Sequence, residues 1–197
     1  MELITMPLGA YQTNCYLLYK ADRQDCLVID PGYEPETVLS QVNKLGKTVA
    51  AILLTHGHFD HVGAVRDIAA ETDCPVYIHK KELTMPPQMT AGKLHYTHFY
   101  GEGDVLTLAG FQIRVHHTPG HTPGSVCLET EGLLFTGDTL FAGSCGRTDL
   151  PGGDWQTILT SLQRFCSFDG ELGVFPGHGE SSTISEEVRY NPFLNER

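Results

Sequence analysis

The side chains of this sequence that are best suited to metal binding or catalysis begin in the segment 55–61, which reads THGHFDH. Side chains at positions i and i+2 of an extended chain point to the same side, so His56 and His58 can bind one ion together. Asp60 and His61 follow after the chain has begun to turn, and they can therefore face a second ion. Imidazole nitrogens and carboxylate oxygens are the usual ligands of catalytic zinc. A single histidine is more often solvated or hydrogen-bonded than a ligand, but four ligand-type residues at this density favour a metal site over an ordinary polar loop.

Three further loops carry the same kinds of residue. His121 lies in the segment TPGHTPG at 118–124, Asp138 follows a glycine, and His178 lies in the segment PGHG at 176–179. Each loop follows an apolar, strand-like run and is rich in glycine or proline. Loops at the same end of neighbouring strands meet at one edge of a layered α/β fold, so we expect these side chains to converge. The predicted metal ligands are His56, His58, Asp60, His61, His121, Asp138 and His178.

Seven ligands are too many for one zinc ion and suit two. Two cations about 3.5–4 Å apart can share a water molecule and lower its pKa to about 7, which generates hydroxide near neutral pH. We therefore predict a hydrolase in which a hydroxide bridging two metal ions attacks an activated acyl compound, with Asp60 and Asp138 as catalytic residues. Zinc is the expected metal, with iron and manganese as alternatives, because the same ligand types bind all three. The sequence contains no Gly-x-Ser-x-Gly motif that would indicate a serine nucleophile.

The elements that must position these loops can be placed from apolar runs and turn residues. Such runs predict strands over residues 3–8, 15–19, 26–30, 49–54, 75–79, 105–108, 111–117, 125–128 and 133–136, and a short strand from residue 173. Helical spacing predicts helices over 38–45 and 62–70. This alternation of strands and helices indicates a layered α/β fold.

Two further helices are marked by their caps. Asp154 is a predicted N-cap for a helix whose core face starts with Trp155. Thr183 and Glu186 form a capping box, so the last predicted helix starts at Ile184.

Length, charge and cysteine usage narrow the class of protein. A chain of 197 residues suits one domain with a substantial core. The 13 basic and 24 acidic residues give a net charge of −11, which disfavours a nucleic-acid partner. No apolar run is long enough to span a bilayer and the N-terminus lacks a signal-peptide pattern, so we expect a cytoplasmic protein with no membrane partner. The six cysteines form no CxxC pair and are expected to be reduced.

The order His-x-His-x-Asp-His, then a lone His, a lone Asp and a lone His, resembles the metallo-β-lactamase fold superfamily. The resemblance covers nearly the whole chain and implies an α/β fold, a four-layer αββα sandwich, as a single domain over residues 1–197. It also implies how the ligands divide between the two metals. One metal would lie on His56, His58 and His121, the other on Asp60, His61 and His178, and Asp138 would bridge them.

Within that superfamily the chain is similar to the glyoxalase II-like hydrolases. The segments that carry this similarity are NCYL at 14–17, TPGHTPGS at 118–125 and TGDTLF at 136–141. The similarity implies cleavage of a thioester, either an S-2-hydroxyacylglutathione such as S-lactoylglutathione or a related small acyl thioester or ester. Full-length glyoxalase II has a C-terminal helical domain that contacts glutathione, whereas one helix is predicted here after His178. We therefore expect no separate C-terminal helical domain, as in short, single-domain bacterial relatives.

Residues outside the ligand set allow more than one interpretation. Arg147 could bind a substrate carboxylate through its guanidinium, or it could pair with Asp149 and fix its own loop. Cys145 in the same loop and Tyr100 in the irregular segment 86–103 are the other candidate substrate contacts, and that segment is a candidate wall of the substrate pocket.

Asp30 also allows two interpretations, which the sequence does not separate. It stands at a strand end before a Pro-Gly turn. It is therefore either a plain turn residue or an acid that orients a metal-binding histidine.

Two other functions compete with hydrolysis. The chain also resembles persulfide dioxygenases of this fold, which use one iron on two His and one Asp. The equivalents here would be His56, His121 and Asp138, and the segment GRTD at 146–149 is similar to that group. A non-catalytic binding module is the other alternative, although a complete ligand set argues against it. The acidic net charge disfavours a nuclease, and the loop sequences and the expected cytoplasmic location disfavour a β-lactamase.

Overall fold

The computed structural model describes residues 1–195 and places two six-stranded β-sheets against each other. The first sheet follows chain order: β1 (Glu2–Leu8), β2 (Thr13–Tyr19), β3 (Asp25–Ile29), β4 (Thr48–Leu53), β5 (Val76–His79) and β6 (His98–Tyr100). The pairs β1–β2 and β2–β3 are antiparallel, whereas β3 to β6 run parallel. Parallel neighbours need crossover connections, and this is why helices cover that part of the sheet.

Among the described residues, those after β6 supply eight more strands. They are β7 (Val105–Leu108), β8 (Phe111–His117), β9 (Val126–Thr130), β10 (Leu133–Gly137), β11 (Leu140–Phe141), β12 (Ser144–Cys145), β13 (Gly173–Pro176) and β14 (Ser182–Thr183). The pair β11–β12 is a separate ribbon, and the other six form the second sheet in the order β14-β13-β10-β9-β8-β7. Within that sheet β10 and β13 are parallel.

Helices lie on the outer faces of both sheets. They are α1 (Pro35–Lys44), α2 (Phe59–Val62), α3 (Val65–Thr72), α4 (Trp155–Arg164), α5 (Ile184–Tyr190) and α6 (Pro192–Asn195), with 3-10 helices at Lys80–Thr84 and Phe165–Ser167. Asp154 caps α4 and the Thr183–Glu186 capping box starts α5, so both cap predictions are confirmed. Within residues 1–195, no helix has the length and apolar character needed to cross a membrane.

Alternating side chains along β2 reveal the layers. Cys15 and Leu17 pack on the side that carries α1 and α3, whereas Tyr16 and Leu18 pack between the two sheets. A third apolar cluster joins the far side of the second sheet to α4 and α5. The order is therefore helix, sheet, sheet, helix, and the predicted four-layer αββα sandwich is confirmed.

Two details of the helices differ from the sequence-based prediction. The helix predicted over 62–70 is divided into α2 and α3, and Gly63 lies at the division. A Cβ on Gly63 would come within 2.4 Å of the carbonyl oxygen of Gly32, so this point of the chain packs directly on another backbone segment. Trp155 was predicted on a core face, but it is 39% exposed and packs edge-on against Phe193.

Backbone hydrogen bonds join the two sheets at the edge that carries the predicted ligands. The amide of Asn14 on β2 donates to the carbonyl of Gly177 at 2.8 Å, and the amide of Val126 on β9 donates to the carbonyl of Thr55 at 2.9 Å. These bonds hold the loops of one sheet against the loops of the other. Ligands that are more than 100 residues apart in sequence, such as His56 and His178, can therefore share one site.

Candidate metal centre

The 55–61 loop leaves β4 at the centre of the first sheet and leads into α2. His56, His58, Asp60 and His61 are all buried in it. The short helix α2 starts at Phe59, which turns Asp60 and His61 away from the extended stretch that holds the first two histidines. The turn predicted from the sequence is therefore present and divides the loop between two groups of side chains.

The first group contains His56, His58 and His121, each offering one ring nitrogen, with these atoms all within 4.8 Å of one another. His121 comes from the loop between β8 and β9 on the second sheet. Its Nε2 lies 2.8 Å from Nδ1 of His58. At this distance a proton or a cation must lie between the two nitrogens, so the pair is either hydrogen-bonded or placed to share a metal ion.

The second group contains Asp60, His61 and His178, whose ligand atoms again lie within 4.8 Å of one another. Nε2 of His178 is 3.2 Å from Oδ2 of Asp60, and Nε2 of His61 is 3.8 Å from the same oxygen. The hydroxyl of Thr13 donates to this oxygen at 3.2 Å, which fixes the carboxylate from the β2 side.

Asp138, at the end of β10, lies between the two groups. Its Oδ1 is 3.3 Å from Nε2 of His61, and its Oδ2 is 3.5 Å from Nε2 of His121 and 3.6 Å from Nε2 of His178. Burial alone would raise the pKa of Asp138, but the surrounding imidazoles bring it well below its usual value. Asp138 is therefore an anion that reaches both groups, which is the position that a bridging ligand needs.

Other polar groups orient the histidines through the ring nitrogen that faces away from the site. Nδ1 of His61 is 2.9 Å from Oδ2 of Asp30, and Nδ1 of His121 is 2.7 Å from the carbonyl of Arg147. Nδ1 of His178 is 3.1 Å from the carbonyl of Tyr11. Each acceptor selects the tautomer whose Nε2 lone pair faces the centre, as in metal-binding histidines generally.

Asp30 is thus an orienting acid, which settles the alternative left open by the sequence. One oxygen of Asp30 and one ring nitrogen each of His56 and His61 also lie within 4.8 Å of one another. However, its Oδ1 accepts the Thr55 amide at 2.8 Å, and its Oδ2 accepts the Thr55 hydroxyl and faces Nδ1 of His61. Both oxygens are therefore occupied on the outer side of the His61 ring, and Asp30 does not face the centre.

Two glycines allow the loops to approach this closely. Gly137, just before Asp138, has φ +48°, and a Cβ there would lie 2.3 Å from the Thr55 hydroxyl oxygen. A Cβ on Gly177 would lie 2.2 Å from Oδ1 of Asp138. A side chain at either position would push the ligand loops apart, so the glycines are required by the space between the loops.

The polar atoms that converge here fit divalent cations. Within residues 1–195, the buried Nε2 atoms of His56 and His61 and Oδ1 of Asp138 have no hydrogen-bond partner. Nε2 of His61 and Oδ1 of Asp138 are 3.3 Å apart, but they are not aligned for a hydrogen bond. Burial and the neighbouring imidazoles lower the pKa of His58 to about 4 and that of His56 well below its usual value. Both are neutral at pH 7, as metal ligands must be.

The centre forms the floor of a cavity of about 580 Å³, a size suited to a small organic ligand. Its walls are largely apolar side chains from several segments, namely Tyr11, Phe59, Met89, Phe141, Cys145 and Leu150, with Arg147 at one side. A larger surface groove, about 880 Å³, runs between α1 and α3, but none of the predicted ligands lines it.

Two of the three candidate substrate contacts line the cavity and the third does not. Cys145 and Arg147 line the cavity, and the Arg147 guanidinium also makes two 2.7 Å contacts with Asp149. Tyr100 does not line it, so its assignment as a substrate contact is wrong. As part of β6 it points into the layer between the sheets, where its ring is buried and its hydroxyl donates to the carbonyl of Leu54.

Most residues of the cavity walls carry no sequence pattern that identifies them. Of the irregular 86–103 segment, Met89 alone contributes to the cavity among the described residues. Tyr11, Phe141 and Leu150 were not singled out, because an isolated apolar residue in a loop carries no pattern that distinguishes a pocket wall from ordinary packing. Phe59 could have been noticed, since it stands inside the ligand segment itself.

Comparison with known proteins gives consistent matches over most or all of the chain. The model of the metallo-beta-lactamase superfamily matches residues 8–178. Hydroxyacylglutathione hydrolase GloC of Haemophilus influenzae is 35% identical over 212 residues, with 100% of both chains covered. The crystal structure of BLEG-1 B3 metallo-beta-lactamase has a TM-score of 0.92 at 37% identity, covering 99% of this chain and 100% of that one. The structure of TTHA1623 in a di-iron-bound form has a TM-score of 0.85 at 39% identity, covering 97% and 100%.

Proposed function

Because this chain belongs to the metallo-β-lactamase superfamily, we propose that it is a metal-dependent hydrolase that cleaves a thioester. The proposed substrate is an S-2-hydroxyacylglutathione or a related small acyl thioester or ester. The observation that carries the proposal is the position of Asp138, which lies between two three-residue ligand groups at the floor of one cavity.

The ligand set supports a site for two divalent cations. His56, His58 and His121 would hold one, Asp60, His61 and His178 the other, and Asp138 both. Two such cations supply an activated water and polarise the carbonyl that it attacks. Zinc is the proposed metal, with iron and manganese suited to the same ligands.

The chain's own residues would prepare the site for this chemistry. Asp30 and the carbonyls of Arg147 and Tyr11 fix the orientation of the histidine rings, so little rearrangement accompanies binding. The apolar walls exclude bulk water from the acyl group, and Phe59 and Tyr11 form an edge-on aromatic pair at 5.4 Å on one side of the cavity. Arg147 is the proposed contact for a substrate carboxylate, and Cys145 is the proposed neighbour of the acyl or thiol portion.

The comparison with GloC supports the thioester as substrate, because that relative is named a hydroxyacylglutathione hydrolase and aligns over its full length. The competing function, a mononuclear-iron persulfide dioxygenase, needs only His56, His121 and Asp138. It leaves the second group without a role, although His61 and Asp60 are buried and held by Asp30 and Thr13. A non-catalytic module would need neither an ordered second group nor a cavity above it.

The test compares reactions on the same purified protein after loading with Zn²⁺ or Fe²⁺. Hydrolysis of S-lactoylglutathione and of a simple aryl ester is measured beside hydrolysis of a β-lactam and oxygen uptake with glutathione persulfide. We expect the rate of thioester hydrolysis to fall more than about 100-fold in His121→Ala. Removing a ligand weakens metal binding more than altering a residue that only orients a ligand. His98→Ala is the matched control, since that imidazole is exposed on β6. Oxygen uptake without thioester hydrolysis, or full activity in His121→Ala, would overturn the proposal.

A further inference from the structure

The 3-10 helix Lys80–Thr84 carries a buried carboxylate that the proposed chemistry does not use. Glu82 is 0% exposed, although it lies shortly after the end of β5 and between two exposed residues, Lys81 and Leu83. A carboxylate is buried at substantial cost unless hydrogen bonds replace its water. Its partners therefore indicate what the burial achieves.

Within residues 1–195, the side-chain hydrogen bonds of Glu82 all go to the two loops that carry the first ligand group. Its Oε2 accepts the backbone amide of Gly57 at 2.6 Å, and Gly57 lies between His56 and His58 in the chain. Its Oε1 accepts the amide of Gly124 and the hydroxyl of Thr122, both at 2.7 Å.

The contact between this carboxylate and the loops leaves no room for other side chains. A Cβ on Gly57 would lie 2.8 Å from Oε2, and a Cβ on Gly124 would lie 2.7 Å from Oε1. The two glycines therefore admit the carboxylate between the loops. Burial raises the pKa of Glu82 and the three donors oppose this, as expected for a carboxylate bound by backbone amides.

We propose that Glu82 is a positioning residue that locks the His56–His58 loop to the His121 loop and thereby sets the geometry of the first ligand group. The inference rests on the proposed metal-dependent function. The second ligand group is held by other contacts, from Asp30, Thr13 and the Tyr11 carbonyl. Loss of Glu82 should therefore weaken one cation site and spare the other.

The experiment titrates Co²⁺ into metal-free wild-type protein and the Glu82→Gln variant. The amide keeps the shape of the side chain but replaces one acceptor with an NH₂ group that faces a backbone or hydroxyl donor. We expect one binding step to weaken by about 10- to 100-fold, with an altered visible spectrum for that site, while the other step changes by less than about 3-fold.

Glu187→Gln is the matched control for the general cost of replacing a buried carboxylate. Glu187 is 3% exposed and accepts the Gly143 amide at 2.9 Å and the Asn191 side-chain amide at 2.7 Å, contacts that involve no predicted ligand. Thermal unfolding of the metal-free variants measures that cost. We expect Glu187→Gln to lower the unfolding temperature while both Co²⁺ steps keep their wild-type affinity.

If Glu82→Gln does not fold, Thr122→Val removes one of the three donors while keeping the side-chain shape, and it should weaken the same step to a smaller extent. Wild-type binding and an unchanged spectrum in the folded variant would overturn the inference. Equal weakening of both steps would overturn it too, since that indicates a general structural role. Either result leaves two cations bound to the wild type, whereas failure of the proposed function would appear as a wild-type protein that binds one cation or none.

Discussion

Replacing Asp30 with asparagine should damage the second ligand group through the tautomer of His61. Oδ2 of Asp30 accepts the Nδ1 proton of His61 at 2.9 Å, which leaves the Nε2 lone pair facing Asp138 and Asp60. If the asparagine oxygen keeps the Thr55 amide, its NH₂ group faces Nδ1. His61 must then accept at Nδ1 and carry its proton on Nε2, where a cation would have to bind.

The same NH₂ group also replaces the acceptor of the Thr55 hydroxyl, whereas the size and backbone conformation of the residue are kept. Asp30 has φ +49°, and asparagine tolerates this left-handed backbone region as well as aspartate does. Disturbing an orienting partner of a metal ligand costs about 10- to 100-fold in metal affinity, equivalent to about 1.4–2.8 kcal/mol. Because Asp30 is 1% exposed, no solvent can replace the lost acceptor, and we expect the upper part of that range.

The assay is calorimetric titration of Zn²⁺ into metal-free protein, together with the metal content retained after dialysis. Asp30→Asn should weaken one of the two steps, and this step should differ from the one weakened by Glu82→Gln. Asp25→Asn is the control, since that carboxylate pairs with Arg23 at 2.7 Å at the surface. Two wild-type binding steps in Asp30→Asn would refute the claim that Asp30 acts through His61.

Three further outcomes follow from the structure. Chelation should lower the unfolding temperature, since a cation present at about 100 times its dissociation constant contributes about 2.7 kcal/mol; an unchanged melting curve would contradict a preformed site. Burial, with His117 and Lys81 nearby, lowers the pKa of His79 to about 4, so its contribution to stability is present above pH 6.5 and lost as the pH falls towards 4. The free energy of unfolding of His79→Phe, measured in urea between pH 6.5 and 4, should therefore fall less with decreasing pH than that of the wild type. The same fall in both proteins would exclude His79 as its cause. Thr183→Ala should cost about 1 kcal/mol by removing the cap of α5, with cation binding unchanged; weakened binding would show that α5 supports the centre.

Much of the centre could be predicted because its determinants are local. The His56–His61 ligands share one short segment, and each remaining ligand follows an apolar strand and a glycine or proline. Parallel pairing then brings the ends of β10 and β13 together, and the contact between the two sheets places the end of β4 beside them. The hairpin over 105–117 was also predictable, since the turn at 109–110 separates two alternating runs that pair as β7 and β8.

The features that the sequence did not yield depend on contacts between distant segments. Glu82 looks like a surface residue of a charged stretch, KKEL, and only the approach of Gly57 and Gly124 explains its burial. Tyr100 was assigned to the pocket from its place in an irregular segment, but pairing of β5 with β6 turns it into the layer between the sheets. Neither contact leaves a spacing pattern in the sequence.

Elemental analysis combined with anomalous scattering from crystals grown with Zn²⁺ can establish how many cations each chain holds and where they lie. We expect two ions per chain, one surrounded by His56, His58 and His121 and the other by Asp60, His61 and His178, with Asp138 contacting both. A fully active protein that holds a single ion at every zinc concentration, or ions bound away from Asp138, would contradict this expectation.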